Sequence, residues 1–111
     1  MYFLNITDVA EEDILSAINY IANVLKAPMA ANNLLDEIEK YEETLEKRPY
    51  IYPFVPDEYL ARKKLKFVII KNYIMFYTID EEEKMVNVIR FLYGRRDWKN
   101  ILRYSTEKRF F

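Results

Sequence analysis

The sequence predicts an α+β domain in the order β-α-α-β-β-β, a helical hairpin packed on a small, mainly antiparallel sheet. Three observations lead there. Apolar residues recur at helical spacing through residues 7–47. Three runs rich in β-branched and aromatic residues follow from Leu65 onward. Between the two regions Pro49, Pro53 and Pro56 break regular structure.

The elements follow in chain order. Tyr2 to Ile6 reads as a short strand able to join the sheet as a fourth. Thr7 to Lys26 reads as a helix: Asp8 with Glu11 three residues on is a capping-box-like start, and Ile14, Ile18, Ile21 and Leu25 share one face. Pro28 opens a second helix, suited to a first turn because its missing N–H has no helical partner there. Ala31, Leu34, Ile38, Tyr41 and Leu45 form its apolar stripe, while Asp36, Lys40, Glu43 and Lys47 offer opposite charges four residues apart on a solvated face. The short link LKAPMA makes the two helices an antiparallel hairpin. RPYIYPFVPDEY reads as a loop held down by its aromatics. LKFVIIK, YIMFYTID and MVNVIRFLY form an antiparallel meander, turning at Lys71-Asn72 and at Asp80 to Lys84. Gly94 ends the last strand and permits a turn, and Asp97 caps a terminal helical turn through Ile101 and Leu102.

Composition narrows the function. A chain of 111 residues is one domain's worth, taken here as 1–111. With 51% hydrophobic and 32% charged residues it has the balance of a soluble globular protein. No apolar run approaches the roughly 20 residues of a membrane helix, and MYFLNITDVAEED lacks a signal-peptide pattern, so a cytoplasmic location is expected. No cysteine means no disulfide, thiolate nucleophile or zinc thiolate site. A single glycine excludes the P-loop and the GxGxxG turn, so no nucleotide cofactor is expected. Without histidine, Ser16 and Ser105 have no base of the usual kind. The acids of DEEEK at 80–84 sit on a hairpin tip and do not converge, so no metal is expected. Charge is segregated: residues 1–58 carry net −8 and residues 59–111 net +7. Such asymmetry suits an anionic partner, or two faces of one domain attracting each other.

The strongest site candidates lie where the last strand meets its corner. Alternation places Val86, Val88, Arg90 and Leu92 on one side and Asn87, Ile89, Phe91 and Tyr93 on the other. Arg90 in an apolar row implies either a structural partner, such as Asp97 or a helix acid, or a ligand. Arg95, Arg96, Lys99 and Arg103 surround Trp98, and Arg62, Lys63, Lys64 and Lys66 lead into the meander. Guanidinium groups beside aromatics suit phosphate contacts and base stacking. The plainer reading makes Trp98 a core anchor and the lysines guards of an exposed edge.

The string VIRFLYGRRDW, preceded by KNYIMFYTID and by the hairpin DILSAINYIANVLKAPMAANNLLDEI, closely resembles the RelE/ParE superfamily of type II toxins, first grouped under plasmid stabilisation. The resemblance covers nearly the whole chain and implies the same β-α-α-β-β-β fold. It implies an antitoxin partner in a hetero-oligomeric complex, with no membrane component. Two activities occur in the superfamily: ribosome-dependent messenger-RNA cleavage in RelE-like members and DNA gyrase poisoning in ParE-like ones. Three departures bear on the choice. Ile74 stands where cutting members carry an arginine, Tyr93 replaces the histidine of HGRRDW, and Lys66 stands where an arginine is common. Isoleucine cannot stabilise phosphoryl charge, and tyrosine is a poor base near neutral pH. Ribosome-directed members are usually strongly basic, whereas this chain has a pI near 5.6. The resemblance therefore implies a growth-arresting toxin of the ParE-like, non-catalytic kind. The alternatives are a RelE-like endoribonuclease and an inactive homologue that binds only an antitoxin. Target-binding candidates are Lys66, Arg90, Tyr93, Arg95, Arg96 and Trp98; in a cutting enzyme the catalytic candidates are Arg90, Tyr93, Arg95 and Arg96. Phe110 and Phe111 either pack on the sheet or face a partner.

Overall fold

The computed structural model describes residues 1–104, so the Phe110-Phe111 question lies outside the described residues. The chain runs β1 (Phe3–Ile6), α1 (Asp8–Asn19), α2 (Pro28–Lys47), α3 (Glu58–Arg62), β2 (Lys66–Ile70), β3 (Tyr73–Asp80), β4 (Met85–Tyr93) and α4 (Trp98–Arg103). The sheet order is β1-β4-β3-β2, with β1 parallel to β4 and the other pairs antiparallel.

The helical hairpin covers one sheet face. Ala10, Ile14 and Ala17 of α1 and Leu34, Ile38 and Leu45 of α2 are buried against Val68, Met75, Tyr77, Val86 and Val88. Each of the larger aliphatic side chains contributes about 1.5–3 kcal/mol by leaving water. The buried Tyr77 hydroxyl donates to the Pro49 carbonyl oxygen at 2.7 Å, which fixes the proline-rich stretch to this core. The opposite face carries a second cluster, in which Val55, Leu60, Leu65 and Leu102 cover Phe76, Ile89 and Leu92.

Several expectations need correction. Helix α1 is capped by Thr7 and not by Asp8: the Thr7 hydroxyl accepts from the Ala10 N–H at 3.2 Å, since Thr7 holds extended backbone one residue earlier. The first helix does not run regularly to Lys26. Tyr20–Val24 form a π turn, closed by Leu25 N–H donating to the Tyr20 carbonyl oxygen at 2.9 Å. The extra residue per turn rotates Leu25 out of the apolar stripe, leaving it 56% exposed. On α2, Lys40 pairs with Glu37 at 3.1 Å, one position closer than the i,i+4 spacing suggested. The proline-rich stretch is not all loop. A 3-10 turn spans Pro49–Ile51, and Asp57 caps the short α3 by accepting from the Leu60 N–H.

The alternation expected along β4 fails at a β-bulge. Tyr77 pairs with Val88 and Phe76 with Arg90, so Ile89 has no partner opposite it. The phase shifts there: Val86, Val88 and Phe91 pack under the hairpin, whereas Ile89 and Leu92 face the second cluster. Gly94 is not needed for a left-handed turn either, because its φ is not positive. It permits close approach. Its N–H donates to the Asn72 carbonyl oxygen at 2.8 Å, and a Cβ there would lie 3.2 Å from that oxygen. The left-handed positions fall to Lys26, Lys64, Lys71 and Lys84, with φ between 51° and 65°.

Candidate functional site

The parallel pairing of β1 stops at Val88, which leaves the last residues of β4 on an open edge. Helix α1 takes over. The Thr7 N–H donates to the Val88 carbonyl oxygen at 3.2 Å and the Thr7 hydroxyl to that of Ile89 at 3.3 Å. Further along α1 the Asp13 carboxylate accepts from Phe91 N–H at 3.0 Å and from both Arg90 Nε at 2.7 Å and Nη2 at 3.0 Å. This fork geometry is the strongest form of carboxylate pairing. Arg90 is thus held by a helix acid, and not by Asp97, with 16% of its side chain exposed.

Beyond Arg90, the strand delivers Tyr93 to the surface. Tyr73 stacks flat on Phe91 with centroids 5.0 Å apart, and Tyr93 meets Tyr73 edge-on at 5.6 Å. The turn that follows is closed by Arg96 N–H donating to the Tyr93 carbonyl oxygen at 3.0 Å. Arg95 and Arg96 are exposed and, among the described residues, neither guanidinium has a hydrogen-bond or ion-pair partner. Trp98 turns the other way, half-buried with its ring 5.5 Å from Phe76. Asp97 occupies the N-cap position of α4 but leaves the helix N–H groups uncapped, its carboxylate accepting instead from the Asn100 side-chain amide at 2.6 Å.

The remaining candidates are not gathered at this corner. Lys66 is buried: its ammonium donates to the Tyr52 carbonyl oxygen at 2.6 Å and lies 4.3 Å from the Phe54 ring centre. Burial lowers its pKa. Arg62 pairs with Glu58, and Arg103 with Asp57 at 2.9 Å. Ile74 packs against the second apolar cluster. The corner therefore presents two unpaired guanidiniums and an exposed phenol on a stiff support. That arrangement can attract and orient an anionic surface. Among the described residues, no three His, Cys, Asp or Glu side chains converge to hold a metal ion, and no helix is long and apolar enough to cross a membrane.

Sequence reasoning missed Asp13, because its partner is 77 positions away. Its place beside Ile14 on the apolar edge of α1 was the available signal.

A family model described as the ParE toxin of the type II toxin–antitoxin system, parDE, matches residues 4–98. The toxin–antitoxin complex RelBE2 from Mycobacterium tuberculosis matches at 17% identity and a TM-score of 0.58, covering 83% of this chain and 96% of that chain. The chromosomal ParDE TA system from P. aeruginosa matches at 18% identity and a TM-score of 0.64, covering 84% and 96%. At such identities these likenesses show the fold. No curated protein matches the chain significantly.

Proposed function

The chain belongs to the ParE toxin family of type II toxin–antitoxin systems, and from that premise we propose that it arrests growth by docking on DNA gyrase and not by cutting messenger RNA. The observation that carries this reading is the position of Ile74. Where the resemblance calls for an arginine to stabilise phosphoryl charge, this chain has an aliphatic side chain packed against an apolar cluster with Leu92 and Trp98. Two further cations singled out by the resemblance are committed, Arg90 to Asp13 and Lys66 to the Tyr52 carbonyl. What stays free is a docking set: Arg95, Arg96 and the exposed Tyr93. Trp98, half-buried with its ring 5.5 Å from Phe76, anchors the turn that carries that set.

The two solved structures named above are toxin–antitoxin complexes, which supports an antitoxin partner and a hetero-oligomeric complex here. One observation favours the second reading, a ribosome-dependent nuclease. Tyr93 is 40% exposed beside two free guanidiniums, a setting in which an RNA base can stack and a phosphate can pair.

The test is controlled induction of the wild type and of the Arg95→Ala/Arg96→Ala variant. The docking reading expects the variant to lose growth arrest while keeping its thermal unfolding midpoint, because both side chains are exposed and neither guanidinium is paired within the described residues. A fully toxic, folded double variant would overturn it.

A further inference from the structure

The helical hairpin covers one face of the sheet, and among the described residues the other face is covered at one end only, where Val55, Leu60, Leu65 and Leu102 lie on Phe76, Ile89 and Leu92. Toward the β3–β4 turn that second face carries two cross-strand rows, Thr78–Asn87–Asn5 and Asp80–Met85–Phe3. A cleft of about 550 Å³ opens here, floored by Thr78 and Asn87, with Lys63 and Lys64 on one rim and Asp80 and Glu82 on the other.

Three features of this half-face define what fits it. Its floor is polar and already ordered, the Asn5 side-chain amide donating to the Asn87 side-chain oxygen at 2.8 Å. Its far end is apolar: Phe3, paired with Met85 across the strands, is 71% exposed. Its charges stand in sequence from the β2 side, two cations and then two acids, and among the described residues none of the four has an ion-pair partner.

The chain itself carries the complements in the same order. Helix α4 ends beside α3, where Arg103 pairs with Asp57 and a small cleft is lined by Tyr59, Arg103 and Tyr104. From Tyr59 to Lys63 is one helical turn, about 6 Å. From β2 to β1 is three strand spacings, about 14 Å. Residues 105–111, STEKRFF, reach about 23 Å when extended, enough for the whole path.

We propose that residues 105–111 cross this half-face as a strap, with Glu107 at Lys63 and Lys64, Lys108 and Arg109 at Asp80 and Glu82, and Phe110 and Phe111 on Met85 and Phe3. The strap lies at the opposite end of the sheet from Tyr93 and goes beyond the gyrase reading without resting on it. Seated, it ties the C-terminal segment to β1 and closes the polar floor to other chains. A nucleic acid laid along the same path would meet Lys63 and Lys64 but be repelled at Asp80 and Glu82.

Paramagnetic relaxation enhancement on the full chain tests this. The sequence has no cysteine, so Glu83→Cys on the β3–β4 turn and Asn33→Cys on the exposed face of α2 each take a single nitroxide label. The Glu83→Cys label should erase the amide signals of Phe110 and Phe111, and the Asn33→Cys label should leave them intact. Lys108→Glu/Arg109→Glu should bring the erased signals back. Adding Asp80→Asn/Glu82→Lys, whose asparagine oxygen can still accept from the Glu83 N–H, should then erase them again in part. Signals that survive the turn label, or fade equally under both labels, overturn the proposal. Loss of signal indifferent to the charge reversal overturns it too. So does a loss that appears only between chains, when spin-labelled chain at natural isotope abundance is mixed with isotope-enriched chain carrying no label, because the cleft then belongs to a second copy.

Discussion

Replacing Asp13 by asparagine removes one negative charge and little volume from a site where three donors converge. Arg90 Nε, Arg90 Nη2 and Phe91 N–H all reach the carboxylate within 3.0 Å, and the two charged side chains are 16% and 13% exposed. The amide oxygen introduced by the substitution can still accept from one donor, but the guanidinium loses its counter-ion in a part-buried setting. Breaking such a pair from one side costs about 3–5 kcal/mol, and the retained acceptor places this case near the lower end, at ~3 kcal/mol. With a urea m-value of about 1.5 kcal/mol/M for a domain of this size, the unfolding midpoint should fall by roughly 2 M. Removing both charges, as Asp13→Asn/Arg90→Met, should cost less than the single change, about 1–2 kcal/mol, because no orphaned charge stays behind. Equilibrium urea unfolding followed by far-UV circular dichroism measures all three proteins. A midpoint for Asp13→Asn within about 0.3 M of the wild type would refute the claim that α1 clamps the end of β4 through this carboxylate.

Three smaller perturbations probe the same frame. Gly94→Ala should lower stability by about 1 kcal/mol in thermal unfolding, since the new methyl would press on the Asn72 carbonyl, a backbone atom with little room to retreat. Lys26→Gly should leave stability unchanged or raise it by up to about 1 kcal/mol, because Lys26 carries φ 54° just past the end of the first helix, where glycine normally sits. The third is pH. Lys84, Tyr50 and Tyr2 donate to Glu81 and hold its carboxyl down from 4.5 to about 2. A depressed folded value means that this contribution is complete above pH 4.5 and is lost as pH falls through about 2. Glu81→Gln should therefore flatten the acid limb of the stability–pH curve in that window, and an unchanged limb would show that the cluster contributes nothing.

The elements were legible where local chemistry sets them. β-Branched and aromatic residues are dense in FVII, YIMFY and VNVIRF, so the three meander strands could be read between their turns. The hairpin was legible from its apolar stripes in the same way. Most of what escaped depends on contacts distant in sequence. The bulge at Ile89 inverts the face of Phe91 and Leu92, and period-two counting has no means of locating the extra residue. The π turn moves Leu25 from core to surface without any change in composition. At the site, the motif placed Arg95, Arg96 and Tyr93 at the surface, but residue type alone could not tell free cations from committed ones. Arg90 and Lys66 look like their neighbours until Asp13 and the Tyr52 carbonyl are brought against them.

Pulse-labelling after tightly controlled induction, following DNA and protein synthesis in one culture, separates the two modes of toxicity. With Ile74 in an apolar cluster and Arg95 and Arg96 as the free charges, DNA synthesis should fall first while protein synthesis continues. Early loss of protein synthesis with DNA synthesis intact would contradict the gyrase reading and assign the corner to messenger RNA on the ribosome.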